Sequence, residues 1–475
     1  MVSHHLSRIP FSHYRYISPV YIIHFAIASM NIFFSSLLSL RFLKYSLHIY
    51  IMNTIRILFI FTVLVLSGCT GNNPEENFSM ESPPIDITPI VAFGKSLDWS
   101  HTTNMIALGK MGEDFYYDVY IMNPDGSDLT CLTDSADCPQ KHNGNPVWHP
   151  SGDYIVFTAE NEDVQGAAYD QVAIPGRGVN CNLWAVNTTG SKAWQLTAYD
   201  TSYINPKGVL HPQMSHDGTH LLWAERLSNC EGTPWGEWVL KVADFIIDEH
   251  GPHLEHIKSY QPGESHRFYE SHAFSPDDKK ILFCGNLEKN QLESGIDICE
   301  MDISTESLVK LTDSFSDWDE HAHYSPDGSK IAWMSSTGLD IHISFQDLKT
   351  HQWPHKLRTE LWIMDADGSY KQQITHFNEH GHPHYRGGEV IVSDSTWSPD
   401  GTSIAVTIAI KKDHGEEGFR SHIILITFQE AYTIQLKEIV PSMRSSYTAQ
   451  LLEKSAGVFL REIHGGNYHL NFYNI

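Results

Sequence analysis

The chain has 475 residues and a formal net charge of −25, from 57 acidic against 32 basic side chains. The first 68 residues hold five of the basic side chains and no acidic one, leaving 27 basic against 57 acidic beyond them, a balance of −30. A surface of that sign repels nucleic acid and anionic headgroups, which excludes nucleic-acid binding and suits an extracytoplasmic setting.

Residues 1–51 are apolar and basic, and Ile17 to Leu40 is long enough to span a bilayer. They read as an upstream extension of the reading frame, with Met52 as the initiator, or as an extra membrane segment. Residues 52–69 read as a signal peptide. Met52-Asn53-Thr54-Ile55-Arg56 supplies the positive end, Ile57 to Leu66 the apolar stretch, and Leu66-Ser67-Gly68-Cys69 a small-residue site ending in cysteine. This segment resembles a prokaryotic lipoprotein signal, which implies lipidation of Cys69 and a membrane attachment through the lipid. At about 0.8 kcal/mol per buried methylene, two or more acyl chains hold a soluble domain firmly. Residues 70–88, polar and carrying Pro74, Pro83 and Pro84, read as a tether.

From residue 89 to 441 a repeat dominates. An aromatic or bulky apolar residue runs into a Ser-Pro-Asp-Gly-like turn and then a short apolar strand, at Trp99, Trp148, Met214, Phe274, Tyr324 and Trp397. In the copy at Tyr324, Pro326 presets the turn dihedral, Asp327 can bond its own backbone, and Gly328 supplies positive φ. A second hairpin follows, with Glu360 to Asp365 meeting Ala366-Asp367-Gly368 and returning through Lys371 to Thr375. Each copy is therefore four antiparallel strands, and such sheets bury both faces by stacking radially. The expected fold is all-β, a six-bladed β-propeller of four-stranded antiparallel blades. Spacings of roughly 50 to 70 residues exceed the 40 to 45 of a compact blade. The surplus falls near 163–180, 227–237, 248–270, 338–359 and 378–393, where binding specificity is expected. Ile85 to Phe93 alternates so as to pair beside Ile423 to Ile426 and close the ring. Residues 442–475 depart from the repeat, as a tail or as part of the last blade. Beyond Cys69 there are six cysteines, and Cys131 with Cys138 and Cys284 with Cys299 are expected to be near enough for disulfides, with free buried thiols the alternative.

These motifs resemble the TolB-type (PD40) branch of WD40-like propellers over about Trp99 to Phe428. The resemblance implies a monomeric extracytoplasmic module that binds an envelope protein or polysaccharide through its loops, with no cofactor. Between Cys69 and Trp99 no separate α/β domain like that of the eponymous protein is expected, so only the propeller class carries over.

Positions four and two residues before each turn serine share a face of the innermost strand if side chains alternate with period two. They read Asn145, His211 and Gln213, Ser271, His321 and His323, and Asp394, with His272 one position off this register. Imidazoles converging on an axis, with Asp319 and Glu320 beside them, suit a divalent metal. His272 and the pair His321 and His323, each just before an aromatic-Ser-Pro-Asp turn, are similar to the histidine pattern of oligogalacturonate lyases. That resemblance implies a divalent metal (manganese, zinc or calcium) on His272, His321 and His323, and His211 as the base removing a proton α to a uronate carboxylate. The glutamine of that pattern is absent; Trp318-Asp319-Glu320 occupies its place. Two function classes stand side by side: a lipid-anchored binding module, and a metal-dependent polysaccharide lyase. The histidines at 376, 380, 382 and 384 read as loop residues or a surface metal tract.

Overall fold

The computed structural model describes residues 85–135, 137–166, 176–263, 267–411 and 418–429. The leader readings at 1–51 and 52–69, Cys69 itself and the tail at 442–475 lie outside the described residues. Among the described residues no helix is long and apolar enough to cross a membrane.

Six four-stranded antiparallel sheets form the six expected blades. Their innermost strands are Gly94–Trp99, Asn143–Trp148, Gly208–Met214, Tyr269–Phe274, Asp319–Tyr324 and Val390–Trp397, here the first strands of blades 1 to 6. The ring closes as the alternation predicts. Ile85–Ala92 pairs antiparallel with Phe419–Phe428, from Ile85 opposite Phe428 to Ala92 opposite His422, and becomes the outermost strand of blade 6. Residues 85–88, which read as tether, therefore belong to the propeller. Without this partner Phe419–Phe428 would present an open edge.

The repeat motif has a specific hydrogen-bonding logic. In blade 5 Ser325 Oγ donates to Asp327 Oδ1 (2.6 Å) and accepts from Lys330 N (3.0 Å). Ser275, Ser215 and Ser398 repeat this pattern with Asp277, Asp217 and Asp400. The turn glycine does a second job. Gly328, at φ +69°, lies so close to Pro276 of blade 4 that a Cβ would sit 2.6 Å from its Cγ, so the Ser-Pro-Asp-Gly turns also seat one blade on the next. Backbone bonds reinforce this contact: Trp148 N donates to Asp98 Oδ2 (2.7 Å) and Trp99 N to Thr396 Oγ1 (3.1 Å).

Between blades the core is aromatic and aliphatic. Phe157, Trp223, Phe283 and Trp333 stand at equivalent places on second strands and are fully buried or nearly so. All six cysteines of the propeller are free thiols. Cys299 is registered opposite Phe283, so Cys284, one residue on, points to the other face of the sheet, and no disulfide joins the two. Cys138 is buried with its Sγ toward Ser135 Oγ (3.8 Å), apart from Cys131.

Of the expected insertions, 227–237 forms the tip of a long hairpin in blade 3, His220–Cys230 with Thr233–Asp248. That at 338–359 holds a short helix, Phe345–Lys349, with a Ser344–Asp347 capping box, and a 3₁₀ turn at Trp353–His355. Both carry tryptophans to the mouth of the ring.

Trp333→Ala removes a buried indole whose Nε1 donates to buried Asp319 (3.0 Å). It is expected to destabilise the propeller by roughly 3–5 kcal/mol, read as an earlier denaturant midpoint with the far-ultraviolet strand signal retained in native buffer.

Candidate functional site

One irregularity recurs in every blade and builds the mouth. The register between first and second strands shifts by one extra residue at Ser96, Asn145 to Pro146, His211 to Pro212, His272, His321 to Ala322, and Ser393 to Asp394. These are β-bulges. Ser96, Asn145, His211 and His321 take the left-handed conformation there, at φ +46°, +48°, +46° and +53°. Non-glycine residues held this way cost about 1–3 kcal/mol each, and they cluster at functional sites.

The bulge overturns the period-two expectation. Residues five and four before the turn serine, not four and two, face the mouth together: Lys95 with Ser96, Leu210 with His211, Glu320 with His321, and Ser393 with Asp394 line one cavity of about 430 Å³, along with Glu270. Positions two before the serine instead serve the contacts between blades, as Asp98 and Thr396 do. Gln213 lies half-buried and paired opposite Leu222, and the carbonyl of His323 accepts from Trp397 Nε1 of blade 6 (3.2 Å).

On the cavity floor His211, Glu270 and His321 each offer one ligand atom, all within 4.8 Å of one another. His211 Nε2 lies 3.1 Å from Glu270 Oε1 and 3.0 Å from Asn145 Nδ2, and Ser271 Oγ donates to the His211 carbonyl (2.7 Å). His321 Nδ1 sits 2.9 Å from Asp394 Oδ1, and its Nε2 is 3.5 Å from Glu320 Oε2. Glu320 in turn accepts from Trp318 Nε1 (2.8 Å). The other two histidines expected at a metal lie behind this set: His272 and His323 rings are 6.4 Å apart, and His272 is 5.7 Å from His321. His272 is fully buried and neither of its ring nitrogens has a hydrogen-bond partner.

The electrostatics follow from burial and crowding. Burial pushes His211 down to about 3, with the neighbouring imidazoles adding to the effect against Asp394. Burial and the same neighbours carry His272 well below its ordinary value, and burial takes His323 down to about 4. His321 is the exception. Burial opposes its charge, but the Asp394 and Glu320 carboxylates outweigh that and hold it up at about 9. Burial and the nearby Glu320 and Asp394 charges push Glu270 well above the carboxylate range, whereas the imidazoles keep buried Asp394 well below it. At the wall, burial brings the Lys95 ammonium down to about 8.

Such a floor suits a divalent cation. Two imidazoles and a carboxylate are borderline donors of the kind zinc and manganese accept, neutral His211 has a lone pair to give, and three acidic groups crowded into one buried space want positive charge. Glu270 and Lys95 were missed in the sequence because the bulge, which puts the fifth position on the same face as the fourth, leaves no hydrophobic signature; Ser96 stands at the fourth position of blade 1. The one signal available was that Glu270 and Glu320 stand at the same offset from their turn serines.

No protein-family model matches the chain, and no curated protein does. Among solved structures it is similar to TolB from Acinetobacter baumannii, at 15% identity and TM-score 0.38 over 71% of this chain and 63% of that one. It is also similar to a putative TolB from Agrobacterium tumefaciens, at 15% identity and TM-score 0.42 over 67% of this chain and 95% of that one. The third is oligogalacturonate lyase from Vibrio parahaemolyticus, at 12% identity and TM-score 0.39 over 74% and 96%. The chain thus spans less than two thirds of the first of these proteins.

The His321–Asp394 pair gives a signed pH dependence for the chelator-treated protein. A histidine raised from the usual 6.5 or so to about 9 stabilises the fold fully below its unfolded value and loses that contribution as pH climbs through about 9. Differential scanning calorimetry between pH 6.5 and 9.5 is expected to show Tm falling by several degrees, and Asp394→Asn to start lower and flatten the slope.

Proposed function

We propose that the propeller mouth is a metal-dependent acid–base site for a carboxylate-bearing small molecule. The observation that carries this reading is the convergence of His211, Glu270 and His321 donor atoms on the floor of a cavity open at the mouth. These three residues would hold the ion, with Asn145 and Asp394 orienting the imidazoles and Ser271 fixing the His211 backbone through its carbonyl. When bound, a divalent ion supplies positive charge against which a carboxylate can become more electron-rich. The chain supplies the rest. Arg177 presents a cationic group to an anionic ligand from the cavity wall. An amine brought to about 8 is matched to proton transfer near neutrality, which makes Lys95 the group for removing a proton α to the carboxylate. His211 thereby moves from the role of base to that of ligand. Tryptophans around the opening exclude water from the reacting atoms. The histidine motifs nominate an acidic sugar, with β-elimination as the reaction.

The lipobox at Leu66-Ser67-Gly68-Cys69 supports a second element of the proposal: the propeller works outside the cytoplasm, held by acyl chains on Cys69. The acidic surface suits that setting.

Metal analysis of the purified propeller after mild dialysis tests the site. Near-stoichiometric manganese or zinc is expected, falling at least tenfold in His211→Ala and His321→Ala, with loss of any ultraviolet-absorbing unsaturated product from oligogalacturonate. Substoichiometric metal, unchanged by His321→Ala and His323→Ala together, would remove the enzyme and leave a module that binds an envelope protein or polysaccharide through its loops.

A further inference from the structure

A second cluster of imidazoles occupies the connection from Gln372–Gln373, the outermost strand of blade 5, to the first strand of blade 6, and none of its histidines lines the mouth cavity. The chain orders this connection itself. Glu379 N donates to the His376 carbonyl, His382 N to that of Glu379 and Tyr385 N to that of His382, and Arg386 N closes the loop on the Phe377 carbonyl (2.9 Å). Its base is fixed as well, because Glu360 accepts from Phe377 N and Asn378 N, and Asn378 bonds both backbone groups of Val390 at the far end.

This frame gathers three half-buried rings. Between centroids His382 is 4.2 Å from His376 and 4.5 Å from His384, and His376 is 6.1 Å from His384. A triangle with those sides has a point about 3 Å from every centroid, and an imidazole bound to zinc at about 2.1 Å puts its own centroid about 3.2 Å from the ion. The ring centres are thus spaced for one ion. Two further observations point the same way. His376 Nδ1 lies 2.8 Å from Glu379 Oε2, the pairing with a carboxylate that orients a metal-binding imidazole and leaves Nε2 its lone pair. His384 Nδ1 is buried and has no hydrogen-bond partner among the described residues. The nitrogens themselves must be turned inward, since among the described residues the donors already within 4.8 Å of one another are those of the mouth floor. Rotation of a histidine ring about its Cβ–Cγ bond is soft, so the turn costs little. His382 gives up one bond in making it, the one its Nδ1 accepts from His384 N (3.1 Å).

We propose that His376, His382 and His384 form a second metal site, open to solvent, for a late first-row divalent cation such as zinc or copper, with Glu379 orienting His376. Three imidazoles favour those borderline ions over magnesium or calcium, which take oxygen ligands. Once bound, the ion clasps the connection between blades 5 and 6. The site is independent of the mouth.

Zinc chloride titrated into the EDTA-stripped protein, with bound zinc counted by elemental analysis after equilibrium dialysis, tests the site. His376→Ala, His382→Ala and His384→Ala are each expected to weaken one zinc equivalent at least tenfold, whereas His380→Ala, whose ring packs on Tyr385, keeps it. Excess magnesium is expected to leave that equivalent in place, and mild dialysis that the buried floor withstands is expected to empty it. Replacing His211 and His321 by alanine together is expected to spare it, so zinc lost only through the loop variants removes the floor reading and leaves this one standing. The copper(II) EPR spectrum of wild type minus that of His376→Ala is expected to carry nitrogen superhyperfine splitting. Circular dichroism and Tm check each fold, and His384→Gln, which keeps the side-chain volume, serves where an alanine variant does not fold. Zinc uptake unchanged by all the loop variants, uptake weakened equally in His380→Ala, or a copper difference spectrum without nitrogen splitting overturns the proposal.

Discussion

A single extra residue in the innermost strand of each blade is what the mouth depends on. An unbroken strand would alternate, sending one side chain toward the axis and the next into the packing between blades. The bulge breaks that alternation and turns two consecutive side chains toward the opening, as Glu320 and His321 or Ser393 and Asp394 show. Four left-handed non-glycine residues mark the places where this conformation is held against its intrinsic cost. The surrounding sheets bear that cost because each is locked to its neighbours by turn-to-turn seating and by the closing strand at Ile85–Ala92.

Crowding then sets the chemistry. Seven titratable groups, His211, His272, His321, His323, Glu270, Glu320 and Asp394, share a space from which water is largely excluded, so they cannot all take their ordinary charge states. The arrangement resolves by concentrating charge on His321 and Asp394, leaving the remaining imidazoles neutral and Glu270 disposed to hold its proton. A cation bound there would take the lone pair of neutral His211, while Glu270 and His321 would each have to give up a proton to serve as ligands.

The insertions act on a different principle. The ring of bulges is common to all blades, but the cavity is asymmetric: among the described residues, the tryptophan-bearing segments over it come from blades 3 and 5. Blade 6 contributes Asp394 and a loop whose base is tied down by Asn378 and Glu360. The buried polar floor and these tryptophans of the wall thus come from different segments of the chain.

Local chemistry made much of this legible in advance. The turn residues, the two hairpins per copy and the closing strand depend on short-range rules of dihedral preference and alternation, so Ser325-Pro326-Asp327-Gly328 and Ile423 to Ile426 announced blades and ring closure directly. The histidines at 211 and 321 stood out because both fall four residues before those turns, whereas His272 and His323, expected beside them, do not line the cavity. Their grouping was not legible. Which imidazole meets which carboxylate depends on bulges that leave no mark on hydropathy, and on the angle between blades whose contacting residues are 50 or more positions apart, as with Glu270 and His211 or Asp394 and His321. The sequence by itself determined six sheets and the turns that join them; only tertiary structure decided which side chains face inward and that His211, Glu270 and His321 share one floor, because that follows from strand register and radial packing rather than from any neighbouring residue.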